Sequence, residues 1–234
     1  MLNIVATPIG NLYDMSFRQA KTLVASDMIL AEDTRTAVNL IVRAKEMMKL
    51  DPSYELKKNP KVESYYKDVE MQKLPLVMKW LERENNVSLI SEAGMPLISD
   101  PGYLLVKACI QKGFEFTVIP GPSAVTTALL YAGFKTDSFM FIGFLPKKEL
   151  KLKKLIASLI LIQKELPNVV FVAFESPMRI HDTLTIFDET LPNHQIVITR
   201  ELTKKFEETL RGKAHELQEK EIKGEITLVI GPST

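Results

Sequence analysis

The chain has 234 residues, 46% of them hydrophobic and 25% charged, and a formal net charge of +1. These values describe a globular protein of one or two domains, long enough to bury a real core. With the charge so near zero, general attraction to nucleic acid is excluded, and any such contact must come from a local patch.

Residues 1–10 lack the basic start and long apolar stretch of a signal peptide. Asn3–Thr7 is a short apolar strand that breaks at Thr7-Pro8-Ile9-Gly10-Asn11, a turn built of Pro, Gly and Asn. Ser16, with Gln19 three residues on, has the spacing of a capping box. The helix behind it runs to Ser26 and turns Phe17, Ala20, Leu23 and Val24 to one face. Met28–Ala31 is a second strand, ending in Glu32-Asp33-Thr34-Arg35. Asp33 suits an N-cap for the helix that continues to about Met48. Two carboxylates and a guanidinium at a strand end suit a functional role equally well, and both can hold.

Asp51–Asn59 is expected to be a polar, mobile connection. Val62–Tyr66 reads as a strand and Val69–Glu84 as a helix, with Pro75 near its first turn. Val87–Ile90 is a strand end that leads into Ser91-Glu92-Ala93-Gly94-Met95-Pro96-Leu97-Ile98-Ser99-Asp100-Pro101-Gly102. Glycine admits backbone conformations that a Cβ forbids, and proline fixes φ. Open α/β sheets place their ligands at such carboxyl ends, although the same residues also suit an ordinary strand-to-helix connection. Tyr103–Lys112 has helical spacing and carries the chain's one cysteine, Cys109, on its apolar face. A buried thiol without a disulfide partner is expected there, and no Cys/His spacing indicates a metal site. Phe116–Ile119 is the next strand, closed by Pro120-Gly121-Pro122, and Ser123 caps a helix through Tyr131.

This β-α alternation predicts an α/β fold with a mainly parallel sheet. The Gly-rich phosphate loops G-x-G-x-x-G and G-x-x-x-x-G-K-[ST] are absent, which argues against nucleotide binding through them. The pattern resets near Gly133–Asp137. The boundary is placed ahead of it, with residues 1–120 as an N-terminal α/β domain and 121–234 as a C-terminal one.

In the second half, Phe139–Phe144 is a strand followed by Lys147, Lys148, Lys151, Lys153 and Lys154. Such a run suits a solvated helix face or phosphate contacts. The longest apolar run, Leu155–Ile162, is too short to span a bilayer, so a cytoplasmic chain with no membrane partner is expected. Val169–Phe174 is a strong strand, after which Ser176 is placed as N-cap and Pro177 as the first helical residue. Ile196–Thr199 is a strand ending in Arg200-Glu201-Leu202-Thr203-Lys204, the region to Glu208 is polar, and Ile226–Ile230 is the last strand. The less regular order predicts a mixed sheet with an antiparallel component.

Taken together, the motifs resemble one family. Thr7-Pro8-Ile9-Gly10-Asn11-Leu12, Glu32-Asp33-Thr34-Arg35, Ala93-Gly94 with Ser99-Asp100-Pro101-Gly102, Pro120-Gly121-Pro122, Gly143-Phe144-Leu145-Pro146, Glu175-Ser176-Pro177 with Arg179, and Arg200-Glu201-Leu202-Thr203-Lys204 follow one another as in the small-subunit ribosomal RNA methyltransferases I, within the tetrapyrrole methylase superfamily. The resemblance implies a two-domain protein with a cofactor cleft between the domains, usually a homodimer. It implies S-adenosylmethionine as cofactor, with contacts at Pro8, Ala93, Gly94, Met95, Ile98, Ser123, Ala124 and Glu175. It implies 2′-O-methylation of a cytidine ribose in the decoding region of 16S ribosomal RNA, in the small ribosomal subunit. Glu92, Met95 and Met178 stand where the family usually has Asp, Thr and His. Of its usual His-x-His-Asn-Glu segment, Tyr66-Lys67-Asp68-Val69-Glu70 keeps only the last residue.

A ribose hydroxyl is a weak nucleophile, so a positioned base helps. His181, His194 and His215 lie in no recognised motif, and the strand-end carboxylates Glu32, Asp33 and Glu92 are better candidates, with Arg35 as their partner. Glu70 is the remaining one. Lys147, Lys148, Lys151, Arg179, Arg200 and Lys204 are the candidate contacts to RNA phosphates. The competing readings are methylation of a tetrapyrrole carbon or other acceptor, and a catalytically altered RNA- or ribosome-binding protein on the same fold.

Overall fold

The computed structural model describes residues 1–51, 53–54 and 59–233, which form two compact units, Met1–Ser123 and Ala124–Thr234. Much of the connection expected to be mobile, residues 52 and 55–58, lies outside the described residues.

The first unit is a five-stranded sheet. Its strands are β1 (Leu2–Val5), β2 (Met28–Ala31), β3 (Lys61–Ser64), β4 (Val87–Ile90) and β5 (Phe116–Ile119), in the order β3-β2-β4-β1-β5. All pairings are parallel. The helices are α1 (Phe17–Val24), α2 (Thr34–Met48), α3 (Glu70–Glu82) and α4 (Tyr103–Lys112). Strands β1, β2 and β4 are buried along their whole length, as strands covered on both faces must be. Alternate residues sort to the two faces. Val5, Ile29, Ala31 and Ile90 pack with α1 and α2. Leu2, Met28, Leu30, Val87 and Leu89 pack with α3, α4 and the buried Cys109.

Ser16 caps α1 through the expected box: its Oγ accepts the Gln19 N–H at 3.1 Å, and Gln19 Oε1 accepts the Ser16 N–H. The fully buried Gln19 also donates from Nε2 to the Ala6 carbonyl at 2.9 Å, tying α1 to the end of β1. Gly121 packs on that amide and on Ala6 with no room for a Cβ. One departure concerns α3. It starts at Glu70, so Pro75 lies inside the helix and not in its first turn. The donor missing at Pro75 is the one that would reach Met71, on a strongly exposed turn.

The second unit holds α5 (Ala124–Ala132), β6 (Phe139–Phe144), α6 (Glu149–Glu165), β7 (Val170–Glu175), α7 (Ile180–Thr190), β8 (His194–Arg200), β9 (Glu208–Gly212), α8 (Ala214–Leu217) and β10 (Ile226–Ser233). The sheet order is β6-β7-β10-β8-β9. Only β6 and β7 run parallel; β10 pairs antiparallel with β7 and β8, and β8 with β9. The mixed sheet is the one expected. Helices α6, α7 and α8 cover one face with Leu152, Ile156, Leu184, Phe187 and Leu217, and α5 packs against β7, β8 and β10. Two features differ from the sequence reading. The sequence pattern places no strand at β9, its polar stretch ending at Glu208. Helix α7 starts at Ile180, because residues 176–179 form a turn closed by Arg179 N–H on the Ser176 carbonyl. No helix among the described residues is long and apolar enough to cross a membrane.

Replacing Gln19 with Ala strands the Ser16 N–H and the Ala6 carbonyl. We expect a loss on the order of 2 kcal/mol, against about 1 kcal/mol for Ser16→Ala, read by urea denaturation followed by circular dichroism.

Candidate active site

The central feature of the first unit is the pairing of β1 with β4. The helix after β1 lies on one face of the sheet and the helix after β4 on the other. The carboxyl ends of these two strands therefore form the sheet's topological switch point, the usual ligand position in open α/β sheets.

Four turns reach this edge. The turn after β1 is joined to the loop after β4 by two backbone bonds: Thr7 N–H to the Gly94 carbonyl at 2.8 Å, and Gly94 N–H to the Thr7 carbonyl at 3.1 Å. Ser91 Oγ donates to the Gly94 carbonyl at 2.9 Å, and Thr7 Oγ1 to the Ser91 carbonyl at 3.3 Å. Gly94 has φ +86°, and a Cβ there would stand 3.2 Å from Ile9 and 3.5 Å from the Pro122 carbonyl. Gly94 is thus where the turns after β1, β4 and β5 meet. Leu97 and Ser99 are also left-handed, with φ of 69° and 71°. Such strain persists only where its surroundings over-determine it. Around Gly94, Pro8 is buried, Met95 half-buried, and Ala93 and Ile98 exposed.

The acidic residues divide sharply. Glu32, at the end of β2, is pushed up to about 7 by burial, then by the charges of Asp100 and Glu92. Asp100 is pushed up to about 6 by burial and then by Glu92. Asp33, one residue from Glu32, is pulled down to about 2 by hydrogen bonds from Arg35. Asp33 Oδ1 accepts the Arg35 N–H at 2.7 Å as the N-cap of α2, and the Arg35 guanidinium closes on Oδ2 at 2.7 Å. These adjacent carboxylates thus sit in opposite environments, one that disfavours the anion and one that favours it. The candidates Glu32 and Glu92 are brought together; Asp33 and Arg35 are taken up with each other. Asp100 was missed as a site residue, although it lies in a loop the sequence singles out.

The remaining candidates lie in the second unit. The Glu175 carboxylate is wholly buried and accepts the Ser176 N–H at 2.6 Å, the Thr183 hydroxyl at 2.7 Å, and the Arg179 guanidinium. Arg179 also donates to the Leu145 carbonyl at 3.2 Å. Arg200 pairs with Glu208 at 2.7 Å, and Lys204 with Glu225 at 3.0 Å. Lys147, Lys148 and Lys151 are exposed, at the start of α6. Neighbouring Lys153 is held by Glu149 at 2.9 Å and Glu189 at 2.8 Å. Lys147 and Arg179 border a cavity of about 350 Å³ that is also lined by Leu152, Asp182 and Thr183. Ser123 and Ala124 are half-buried at the junction of the units in sequence.

Sequence comparison agrees with the fold. The pattern of the tetrapyrrole (corrin/porphyrin) methylases matches residues 1–218. Ribosomal RNA small subunit methyltransferase I of Thermotoga maritima is 40% identical over 233 residues, covering 98% of this chain and 97% of that protein. The Bacillus subtilis protein of the same name is 38% identical over 234 residues, covering 98% and 74%. Among solved structures, the methyltransferase CobJ superposes with a TM-score of 0.70 at 14% identity over 99% of this chain and 93% of its own. The uroporphyrin-III-C-methyltransferase of Thermus thermophilus gives 0.63 at 14% over 98% and 93%. The chain belongs to the tetrapyrrole methylase family and, within it, to the ribosomal RNA small subunit methyltransferase I group. It is an S-adenosylmethionine-dependent methyltransferase.

The raised carboxyls carry a stability signature. A group whose folded pKa lies above its unfolded one favours the fold when protonated, so its contribution is lost as pH rises through the folded value. Stability should fall from about pH 4.5 to about 7 on account of Glu32 and level off above. Glu32→Gln should flatten that slope and be the more stable protein at pH 8, read from denaturant midpoints across this range.

Proposed function

We propose that this chain methylates the 2′-hydroxyl of a cytidine ribose in the decoding region of 16S ribosomal RNA, within the small ribosomal subunit and hence in the cytoplasm. The names of its relatives, 38% and 40% identical over 98% of this chain, support the RNA substrate. The single observation that carries the mechanism is the elevation of Glu32 to about 7 beside Asp33 at about 2. A base works best when its pKa lies near the working pH.

When bound, S-adenosylmethionine supplies an electrophilic methyl group on a sulfonium. The residues present fit such a ligand. Exposed Ala93 and Ile98 and half-buried Met95 offer small and apolar surface, next to the acidic Glu92 and Asp100, whose charges suit a cationic ligand. Pro8, Gly94 and Ser123 complete that set. On the family's pattern Ala124 and Glu175 are further cofactor contacts, and the protein is a homodimer. Glu32 accepts the proton that the ribose hydroxyl loses and afterwards releases it to water. Burial first, and then the charges of Asp100 and Glu92, keep Glu32 basic enough to do so. Asp33 and Arg35 hold the start of α2, and Asp33 is too acidic to serve as base.

Glu32→Gln should lower methyl transfer to isolated small subunits by roughly 10²- to 10⁴-fold, with S-adenosylmethionine affinity within a few-fold of the parent. Asp33→Asn should change turnover much less. Turnover of Glu32→Gln near that of the parent would remove Glu32 from the mechanism.

Of the six cations assigned to RNA, the exposed Lys147, Lys148 and Lys151 are the ones we assign to direct phosphate contact. Each such contact to single-stranded RNA adds about −0.7 to the slope of log affinity against log salt. Replacing all three with Ala should flatten that slope by about 2 while leaving S-adenosylmethionine binding as it was. A slope unchanged in filter-binding titrations would make them a solvated helix face.

A further inference from the structure

Neither α3 nor α4 has a side-chain cap of its own, since their N-cap residues are Val69 and Gly102. The start of α4 is instead met by Glu70, the first residue of α3, which is only 6% exposed. Its Oε1 accepts the Gly102 N–H at 3.0 Å and the Leu104 N–H at 2.9 Å. These are two of the donors that a helix start leaves without an intrahelical partner. The carboxylate also meets the positive end of α4, and bonds to an ionised acceptor are the stronger kind. The partners are 32 and 34 residues away in the chain, so the contact is tertiary, not a local turn.

What Glu70 holds is the exit of the 91–102 loop. Gly102 has φ +126°, and a Cβ there would stand 2.5 Å from Leu89 Cδ2 and 3.1 Å from Leu97 Cδ1. The backbone at this point is thus wedged between a strand side chain and a loop side chain. The entry of the loop is tied separately, through Thr7, Ser91 and Gly94. Between the two ties lie left-handed Leu97 and Ser99, then Asp100. The loop's conformation is imposed from its ends, since residues in that region do not adopt it unaided.

We infer that Glu70 is a positioning residue for methyl transfer: its carboxylate clamps the exit of the 91–102 loop and so sets the shape in which that loop receives the cofactor. The inference rests on the reading above that this loop carries S-adenosylmethionine. It also removes Glu70 from the candidate bases, because the carboxylate is buried and spent on two backbone donors.

The test compares Glu70→Ala, Glu70→Asp and Glu70→Gln. Amide hydrogen exchange is followed in the free protein, and S-adenosylmethionine affinity is measured by calorimetry. Gln keeps an acceptor at the same reach. Asp keeps the charge but withdraws the acceptor, and it carries the comparison if the Ala variant does not fold. In Glu70→Ala and Glu70→Asp, amides 91–104 should exchange faster while the sheet amides stay protected, and the Kd should rise about tenfold or more, the scale of one to two lost hydrogen bonds. Glu70→Gln should bind within a few-fold of the parent. A purely structural cap would loosen the fold in the Ala and Asp variants, and Gln would restore it, while the S-adenosylmethionine Kd stayed at the parent's value throughout. Parental affinity and unchanged loop exchange in the Asp variant would overturn the inference, as would a loss in Glu70→Gln equal to that in Glu70→Asp. If S-adenosylmethionine gives the parent's 91–104 amides no protection, the cofactor reading fails and takes the inference with it. Accelerated loop exchange in the free variants distinguishes that failure from failure of the clamp.

Discussion

The structure of the first unit depends on one constraint, that β1 and β4 are parallel neighbours whose following helices leave to opposite faces of the sheet. Two helices departing in opposite directions cannot cover the strand ends between them. The exposed ends must then be closed by irregular backbone, and that backbone needs partners for its polar groups. The Thr7–Gly94 pair supplies two of them. Gly94 is glycine chiefly because its φ is positive; a Cβ would in addition sit tightly, at 3.2 Å, against the Ile9 side chain. The loop's conformation is thereby set by its own unit before any ligand arrives. A preformed loop spares a ligand the cost of ordering it on binding.

The same edge sets the electrostatics. Glu32 and Asp33 are adjacent in sequence but leave β2 toward different surroundings. Asp33 has a guanidinium on both oxygens and the amide of a helix start. Glu32 has burial and two further acidic residues. The first environment stabilises the anion and the second destabilises it, so a difference of about five pKa units between neighbours needs no unusual chemistry. It does carry a cost in stability above neutral pH. A group of like charges held partly buried is the kind of unfavourable arrangement that functional sites retain.

Much of this was legible in the sequence, and the remainder divides by physical cause. The parallel strands are short apolar runs bounded by turn residues, so their places could be read directly. Strand β9 could not, because Glu208-Thr209-Leu210-Arg211-Gly212 lies at a sheet edge with one neighbour and carries little apolar pattern. The start of α7 slipped because Arg179 binds Glu175 and holds a separate turn ahead of the helix. At the site, residue types pointed to Glu32, Asp33 and Glu92 together. What tells them apart is burial beside Asp100 or exposure beside Arg35, and neither exists before the loop after β4 is folded. Glu70 could be flagged as a carboxylate in a motif segment. Its bonds to Gly102 and Leu104 span a distance no local pattern encodes.

The second unit shows why residue type alone misleads about RNA contacts. Arg179 has the planar fork of donors that suits a phosphate, but here the fork serves a carboxylate that is wholly buried. Removing one partner of a buried pair leaves an uncompensated charge, at a typical cost of about 3–5 kcal/mol. Loss of RNA affinity in an Arg179 variant would therefore report the disturbance of Glu175 and of the turn before α7, before it reported a missing phosphate contact. Arg200 and Lys204 are committed more loosely, since Glu208 and Glu225 are themselves partly or largely exposed. Surface pairs of that kind are worth little and exchange partners readily. Ranked by how firmly their charges are engaged, the cations form a graded series: Lys147, Lys148 and Lys151 exposed, Arg200 and Lys204 paired with carboxylates that are partly or largely exposed, and Arg179 bound to the buried Glu175.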